Sequence, residues 1–446
     1  MSVVTSFAPS PTGRLHIGNL YTAVRNWLWA LKSDGRFLLR LDDTDAARST
    51  AAFADAIRAD LDWMGMTPDL EVRQSDRFDL YEARFAALQA AGRVYPAYES
   101  PQELELKRKV QLGRGLPPVY DRAALHLSEA ERAALEASGA RPHWRFRLDE
   151  ARPIAWDDAV RGPQRFDAAH LGDPVVRRAD GSWLYLLPSV IDDIEMGITD
   201  VVRGEDHVSN TAAQVQMFEA LGAPMPRFAH MALLTGDEGK LSKRMGSLGV
   251  DAFRAGGIEP AALIALLARI GTSDPVEPIA DPRLLAETMD FARFVRAPAR
   301  FDEGELAQLS ARIVHMLPHD AVADRVPVEI GAAEWTAIRG NLSTVAEAGE
   351  WAAVIHGAID LPPCDATDRD LLDAAARIAA TLDWDAATWL SLTAALKAET
   401  GRAGKALFLP LRRALTGRDH GPDMAALLVL IGRERALMRL RASAAA

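Results

Sequence analysis

Twice in its first hundred residues the chain runs from a short apolar strand, through a turn, into a helix with one apolar stripe. That alternation limits the folds open to it more than any other feature. Val3 to Ala8 is a β-branched and apolar run suited to a buried strand, and the loop Pro9-Ser10-Pro11-Thr12-Gly13 breaks the chain with two prolines. Leu20, Ala23, Val24, Trp27, Leu28 and Leu31 then recur at helical spacing. Arg36 to Leu41 reads as a second strand ending in the acidic turn Asp42-Asp43-Thr44-Asp45. Helices through Phe53, Ile57, Leu61 and Met64, and over Leu80 to Leu88, follow. Strand, helix, strand, helix is the order of a doubly wound parallel sheet, α/β and Rossmann-type.

From Tyr95 to Asp180 the pattern turns irregular and rich in proline, glycine and charge, as expected of an inserted domain. Sheet character is expected again at Trp183 to Leu187 and at Val201-Val202-Arg203, which leads into a helix over Ser209 to Leu221. Phe228 to Thr235 is a further apolar run, turned by Gly236-Asp237-Glu238-Gly239 into Lys240-Leu241-Ser242-Lys243-Arg244. After Arg254 helices are expected to the end, among them Ala261 to Ile270, Asp370 to Leu382 and one over Met424 to Leu440. The resulting plan is a first sheet half over 1–95, an inserted α/β domain over 96–180 and a second sheet half over 181–235. A connecting region with the lysine-rich loop would cover 236–300, and an all-α region 301–446.

A chain of 446 residues is too long for one core, and its 49% hydrophobic and 25% charged residues are ordinary for a globular protein. The first residues lack the basic and apolar segments of a secretory signal, and the densest apolar run, Met424 to Ile431, falls well short of the ~20 residues a bilayer requires. Cys364 is the single cysteine, which excludes an internal disulfide or a cysteine-rich zinc ribbon. The expectation is a soluble cytoplasmic monomer. The net charge of −11 looks adverse for a nucleic-acid partner, but charge is unevenly spread. Lys397 to Ala446 holds ten lysines and arginines against four acidic residues, and Lys107-Arg108-Lys109 with Arg114 and Arg122 is a second basic cluster. Either could equally be a solvated helix face.

Two segments carry chemistry. In Pro9-Ser10-Pro11-Thr12-Gly13-Arg14-Leu15-His16-Ile17-Gly18-Asn19 a strand gives way to a helix, whose free N–H groups and dipole attract phosphate. Gly18 leaves room for close approach, and His16 could donate to a phosphate oxygen as charge develops on it. Taken alone, His16 reads as a polar helix-start residue. Lys240-Leu241-Ser242-Lys243-Arg244 crowds three cations into five residues, which suits a triphosphate seated among them; an exposed basic turn is the plain alternative.

Together the two segments resemble the ATP-binding motifs of class I aminoacyl-tRNA synthetases, His-Ile-Gly-His and Lys-Met-Ser-Lys-Ser, in the expected order. Phe7-Ala8-Pro9-Ser10-Pro11-Thr12-Gly13, Arg40-Leu41-Asp42-Asp43-Thr44-Asp45 and Val202-Arg203-Gly204-Glu205-Asp206 are similar to the glutamyl and glutaminyl branch. Pro410-Leu411-Arg412-Arg413-Ala414-Leu415-Thr416-Gly417 and Ile431-Gly432-Arg433-Glu434-Arg435 resemble the end of the bacterial glutamyl enzymes. The resemblance spans the chain. It implies a ligase that uses ATP, accompanied by Mg2+, to activate L-glutamate. The product would pass to the 2′-hydroxyl of the terminal adenosine of tRNA(Glu), with tRNA(Gln) left open as a second acceptor.

The resemblance also implies roles. Ser10, His16, Gly18, Asn19, Lys240, Ser242, Lys243 and Arg244 would line the ATP site, with His16, Lys240 and Lys243 acting on the phosphates. Ser6, Ala8, Ser10, Asp42, Tyr185, Ser189 and Arg203 would hold the amino acid. In that set Asp42 meets the α-ammonium and Arg203 the γ-carboxylate; as a bare residue Asp42 could be a helix cap, a part Thr44 or Asp45 would fill better. Lys107, Arg108, Lys109, Arg412, Arg413 and Arg435 would contact tRNA. The chain departs from the pattern at Asn19, in place of the second histidine, and at Asp42, shorter than a common glutamate. It departs also at Ser6, where the family usually has arginine, and at Tyr95-Pro96-Ala97-Tyr98-Glu99, without the cysteines that hold zinc in some relatives; no zinc is expected. Ser6 gives a non-catalytic or altered-specificity tRNA-binding paralogue as the alternative.

Overall fold

The computed structural model describes residues 2–236 and 249–445, which fall into two compact units. The first comprises the chain to Ala255 together with Leu263–Asp302; the second comprises Gly256–Ala262 and the chain from Glu303 onward.

The first unit opens with β1 (Val4–Phe7), α1 (Ile17–Lys32), β2 (Arg36–Leu41), α2 (Ala51–Trp63) and β3 (Leu70–Arg73), in which β1 pairs β2 and β2 pairs β3, all parallel. The apolar stripe read in the sequence is the reason α1 packs there: Leu20, Ala23, Val24 and Leu28 are fully buried on the sheet. Each large side chain so buried contributes about 1.5–3 kcal/mol. After α3 (Phe78–Ala90) the chain enters the insertion, β4 (Val94–Ala97), α4 (Pro101–Gly113), α5 (Glu129–Ala137), β5 (His143–Phe146), the hairpin β6 (Ile154–Asp158) and β7 (Gly162–Phe166), and β8 (Val175–Arg177). Strands β4, β5 and β8 make an antiparallel sheet in that order. This segment does not pack alone: Phe146, Trp156 and Val176 share one core with Tyr81, Phe85, Phe218 and Phe228.

The chain then returns through α6 (Leu186–Glu195), β9 (Asp200–Gly204), α7 (Val208–Ala220) and β10 (Arg227–Met231), with β9 and β10 parallel. The strand expected over Trp183 to Leu187 is corrected: Trp183 makes only an isolated bridge to Arg177, and α6 begins at Leu186. Five apolar residues fit a strand or a buried helix equally, and Pro188 in the first helical turn is the signal that decides it. Short β11 (Leu234–Thr235), α8 (Val250–Ala255), α9 (Pro260–Arg269), α10 (Pro282–Glu287) and β12 (Ala299–Arg300), parallel to β11, follow.

The two parallel sheets meet at β1 and β9. Thr199 N donates to Val4 O (2.9 Å) and Val4 N to Thr199 Oγ1 (2.8 Å). Farther along, a helix residue stands in for the ladder: Asn26 Nδ2 donates to Val202 O (2.8 Å), and Thr5 Oγ1 donates to Asn26 O (2.9 Å). The strands thus run β3, β2, β1, β9, β10, and the connections leave β1 and β9 in opposite directions. The crevice between their carboxyl ends is the topological switch point, where doubly wound sheets bind ligands.

The second unit is all-helical: α11 (Glu303–Val314), α12 (Ala332–Ile338), α13 (Ala348–His356), α14 (Arg369–Ala379), α15 (Thr388–Thr400), α16 (Lys405–Thr416), α17 (Met424–Ile431) and α18 (Arg433–Ala445). Trp335, Trp351, Leu371, Leu396, Leu411 and Leu428 lie in its core. The single helix expected over Met424 to Leu440 is two, because Gly432 takes φ 81° and ψ 157°, an extended positive-φ conformation open mainly to glycine that ends α17. Among the described residues no helix is long and apolar enough to cross a membrane.

Candidate active site

A cleft of about 810 Å³ opens at the switch point. Its walls are the end of β1 and the proline loop (Ser6 to Asn19), the end of β2 (Arg40, Asp42), α6 (Tyr185, Ser189, Asp193), β9 (Val201 to Gly204) and the Ala232–Leu234 segment. Every described residue assigned from sequence to ATP or to the amino acid lines it: Ser6, Ala8, Ser10, His16, Gly18, Asn19, Asp42, Tyr185, Ser189 and Arg203. Lys240, Ser242, Lys243 and Arg244 lie outside the described residues.

The rim is built by the start of α1. His16 is its N-cap: Nδ1 accepts from Gly18 N (3.1 Å), while Asn19 Oδ1 accepts from His16 N (3.2 Å). An Nδ1 used as acceptor carries no proton, so the ring is neutral with its N–H at Nε2, free to donate. Partial burial lowers the pKa of His16 and favours that state. A Cβ at Gly18 would lie 3.1 Å from the His16 ring, so the glycine makes room first for the capping ring. Asn19, which replaces the family's second histidine, supplies the return half of this capping box.

The floor is built by strand alternation. Arg40 and Asp42, two residues apart, face the cleft, whereas buried Asp43 turns away to accept from Ser75 N (2.8 Å), Ser75 Oγ (2.8 Å) and Arg73 Nε (3.1 Å). Arg40 donates to Asp42 twice (2.7 and 3.2 Å), to Asp193 Oδ1 (2.8 Å) and to Ser189 Oγ (3.2 Å). Burial pushes the Asp42 carboxyl up to about 6, against the pull of Arg40. Asp42 does not cap α2; Thr50 does, accepting from Phe53 N (3.2 Å), and Asp45 instead pairs with Arg48 (2.7 Å). Neither Arg40 nor Asp193 was singled out from sequence. Arg40 could have been, since a strand places residues 40 and 42 on one face.

Arg203 closes the far wall. Its guanidinium donates to Gln214 Oε1 (2.6 Å), to Thr211 Oγ1 and to His230 Nε2 (3.3 Å). All three partners are neutral, and Arg203 makes no ion pair among the described residues. Burial lowers its pKa, with Tyr185 and Asp193 opposing. A cation held by neutral acceptors in a cleft wall keeps its charge for an incoming anion. Tyr185 stands beside it, its hydroxyl hydrogen-bonded to His207 Nδ1 (3.1 Å).

The basic residues assigned to tRNA lie elsewhere. Lys107 is paired with Asp121 (3.0 Å) and Glu99 (3.6 Å), Arg108 with Glu105 (3.4 Å), and Lys109 is exposed on α4. Arg413 is paired with Asp419 (2.6 Å), and Arg412 donates to Pro422 O (2.9 Å). Arg435 donates to Ile355 O (2.8 Å) and Ile431 O (2.7 Å), stabilising the carboxyl ends of α13 and α17. In the segment Tyr95 to Glu99, Tyr95 donates to buried Asp173 (2.7 Å) and Tyr98 to Glu136 (2.6 Å).

Residues 2–308 match the family model for the catalytic domain of class I tRNA synthetases (E and Q), and residues 342–444 match an anticodon binding domain. The chain is 67% identical to glutamate–tRNA ligase 1 of Rhizorhabdus wittichii, over 99% of this chain and all of that one. It is 59% identical to glutamate–tRNA ligase 1 of Zymomonas mobilis, over 98% of this chain and 99% of that one. The structure is similar to that of a glutamate tRNA ligase from Elizabethkingia meningosepticum solved with its amino acid, with TM-score 0.84 and 26% identity, covering 100% of this chain and 99% of that one.

Proposed function

This chain belongs to the class I tRNA synthetases of the glutamate and glutamine branch, and from that premise we propose how its cleft performs the work of a glutamate–tRNA ligase. ATP is a substrate of such enzymes. The observation that carries the reading is Arg203, a cation in the cleft wall with only neutral partners among the described residues. A substrate side-chain carboxylate supplies the missing anion, and a carboxamide does not, which favours glutamate over glutamine. Asp42 receives the α-ammonium, with Arg40 holding the carboxylate in place. Tyr185, Ser189, Ser6, Ala8 and Ser10 shape the rest of the amino-acid site.

The substrate α-carboxylate attacks the α-phosphorus of ATP in line, a phosphorus–oxygen bond to pyrophosphate breaks, and the aminoacyl-adenylate forms. The His16 Nε2–H donates toward the phosphates, and Lys240, Ser242, Lys243 and Arg244 are assigned to them from sequence. The ribose 2′-hydroxyl of the terminal adenosine of tRNA(Glu) then takes the glutamyl group and releases AMP. No protein nucleophile is needed; positioning and charge neutralisation carry the reaction. Mg2+ would arrive with the triphosphate. Among the described residues no cluster of metal-ligating side chains occurs.

Lys107, Arg108, Lys109, Arg412, Arg413 and Arg435 are proposed as tRNA contacts, with the enzyme a cytoplasmic monomer. The non-catalytic paralogue raised by Ser6 is not favoured, since relatives named as glutamate–tRNA ligases match nearly the full chain at 55–67% identity. Charging assays against purified tRNA(Glu) and tRNA(Gln) test the reading: glutamate is expected on tRNA(Glu), and failure to charge either would overturn it.

A further inference from the structure

His230 on β10 is the register partner of Arg203 on β9, and its side chain is fully buried, as is that of Asp158 at the end of β6. Asp158 is engaged on both oxygens. Oδ1 accepts three backbone N–H groups, from Val160 (3.1 Å), Arg161 (2.9 Å) and His230 (3.1 Å). Oδ2 takes His230 Nδ1 at 2.5 Å. A carboxylate only accepts, so the proton is on Nδ1 and the neutral ring offers a lone pair at Nε2. That lone pair meets the Arg203 Nε–H (3.3 Å) and the Thr211 hydroxyl (2.8 Å). Burial lowers the pKa of His230, against its hydrogen bond to Asp158. For Asp158 burial acts upward, but the hydrogen bonds from His230 and Arg161 outweigh it and hold the carboxyl below its usual range.

We propose that Asp158 and His230 are a positioning pair for Arg203: the carboxylate fixes the imidazole tautomer, and the imidazole aims the guanidinium at the substrate's side-chain carboxylate. The inference rests on the reading of Arg203 as the ligand of that carboxylate. It differs from a mere latch between the β6–β7 hairpin and β10 in what a tautomer change should do.

Asp158→Asn makes the distinction. Three backbone N–H groups face Oδ1, so the asparagine carbonyl oxygen must stand there and its NH2 must face Nδ1. The ring is then forced to carry its proton on Nε2, setting N–H against the Arg203 N–H. The same substitution beside a catalytic histidine is known to leave geometry intact while inverting the tautomer. Steady-state aminoacylation should show the KM for glutamate rising about tenfold, the scale of one lost hydrogen bond to a charged group, with the KM for ATP unchanged. His230→Gln offers Arg203 an amide oxygen without needing Asp158, so in that background D158N should add less than about twofold. An equal rise in both backgrounds, or no rise in the first, overturns the positioning role. Should D158N not fold, His230→Gln against His230→Leu answers the same question: glutamine should stay within about threefold of the unaltered enzyme and leucine should rise about tenfold, and equal values contradict the proposal. Arg203→Gln runs alongside. An unchanged glutamate KM there removes the Arg203 reading and this inference with it, whereas a rise there without one in D158N removes the positioning role alone.

Discussion

Gly249 pairs with His16 in an isolated antiparallel bridge, although more than two hundred residues separate them in the chain. Gly249, a few residues beyond the lysine-rich segment, thereby stands beside the N-cap of α1, on the rim of the same cleft that Leu234, a few residues before that segment, helps to line. The ion pair of Arg14 with Asp251 (2.5 Å) ties the same two regions together. Both flanks of the second sequence motif therefore adjoin the first.

On the proposed assignment of Lys243 to the triphosphate, Lys243→Ala is expected to slow glutamate-dependent ATP–pyrophosphate exchange by orders of magnitude. Its thermal melting temperature should match that of the unaltered protein, and unchanged exchange would refute the assignment.

His16 caps α1 and is proposed to donate to the phosphates, two roles that substitution can separate. Asparagine is a good N-cap, so His16→Asn should keep α1 while losing the Nε2 donor, slowing exchange about a hundredfold at near-native stability. His16→Ala should lose the cap as well, at about 1 kcal/mol in chemical denaturation. Equal exchange rates for histidine and asparagine would remove the donor role.

Asp42 gives the pH dependence. Its carboxyl must be ionised to meet an ammonium, and burial raises it to about 6. As pH falls through that value the kcat/KM for glutamate should fall, and Asp42→Asn should lie low throughout with that limb absent. The stability effect has the other sign. Between the unfolded value near 3.8 and about 6 the folded state binds the extra proton, so this group's contribution declines as pH rises through that window. An acid limb unaltered in Asp42→Asn would assign it to another group.

At Gly432 the cause is backbone geometry alone: φ is 81° and nothing lies within 4 Å of where a Cβ would sit. Gly432→Ala should cost about 1–3 kcal/mol in the helical unit, because φ 81° with ψ 157° is a conformation open mainly to glycine. A thermal melt unaffected by the change would contradict that account.

What the sequence made legible was local. The stripe of α1 and the run of β2 stand where periodicity put them, because residues 20–28 and 36–41 face one core. Trp183–Leu187 was misread because a short apolar run has no period of its own, and the break at Gly432 because apolar spacing continues across it. Within the site, Asp42 and Arg203 were reachable by motif. The groups that hold them were not: Asp193 reaches Arg40 from α6, and Asp158 reaches His230 from the insertion. Such partners are set by tertiary packing, and no spacing rule within a strand or helix points to them.

The central claim is that Arg203 reads a side-chain carboxylate in the switch-point cleft. ATP–pyrophosphate exchange with tRNA(Glu) present, measured over glutamate and glutamine concentrations for the unaltered protein and Arg203→Gln, tests it most directly. The account predicts exchange that prefers glutamate, and in the variant a kcat/KM for glutamate lower by about a hundredfold or more, as for a severed buried charge pair. Exchange in the variant at an unchanged glutamate KM would contradict it.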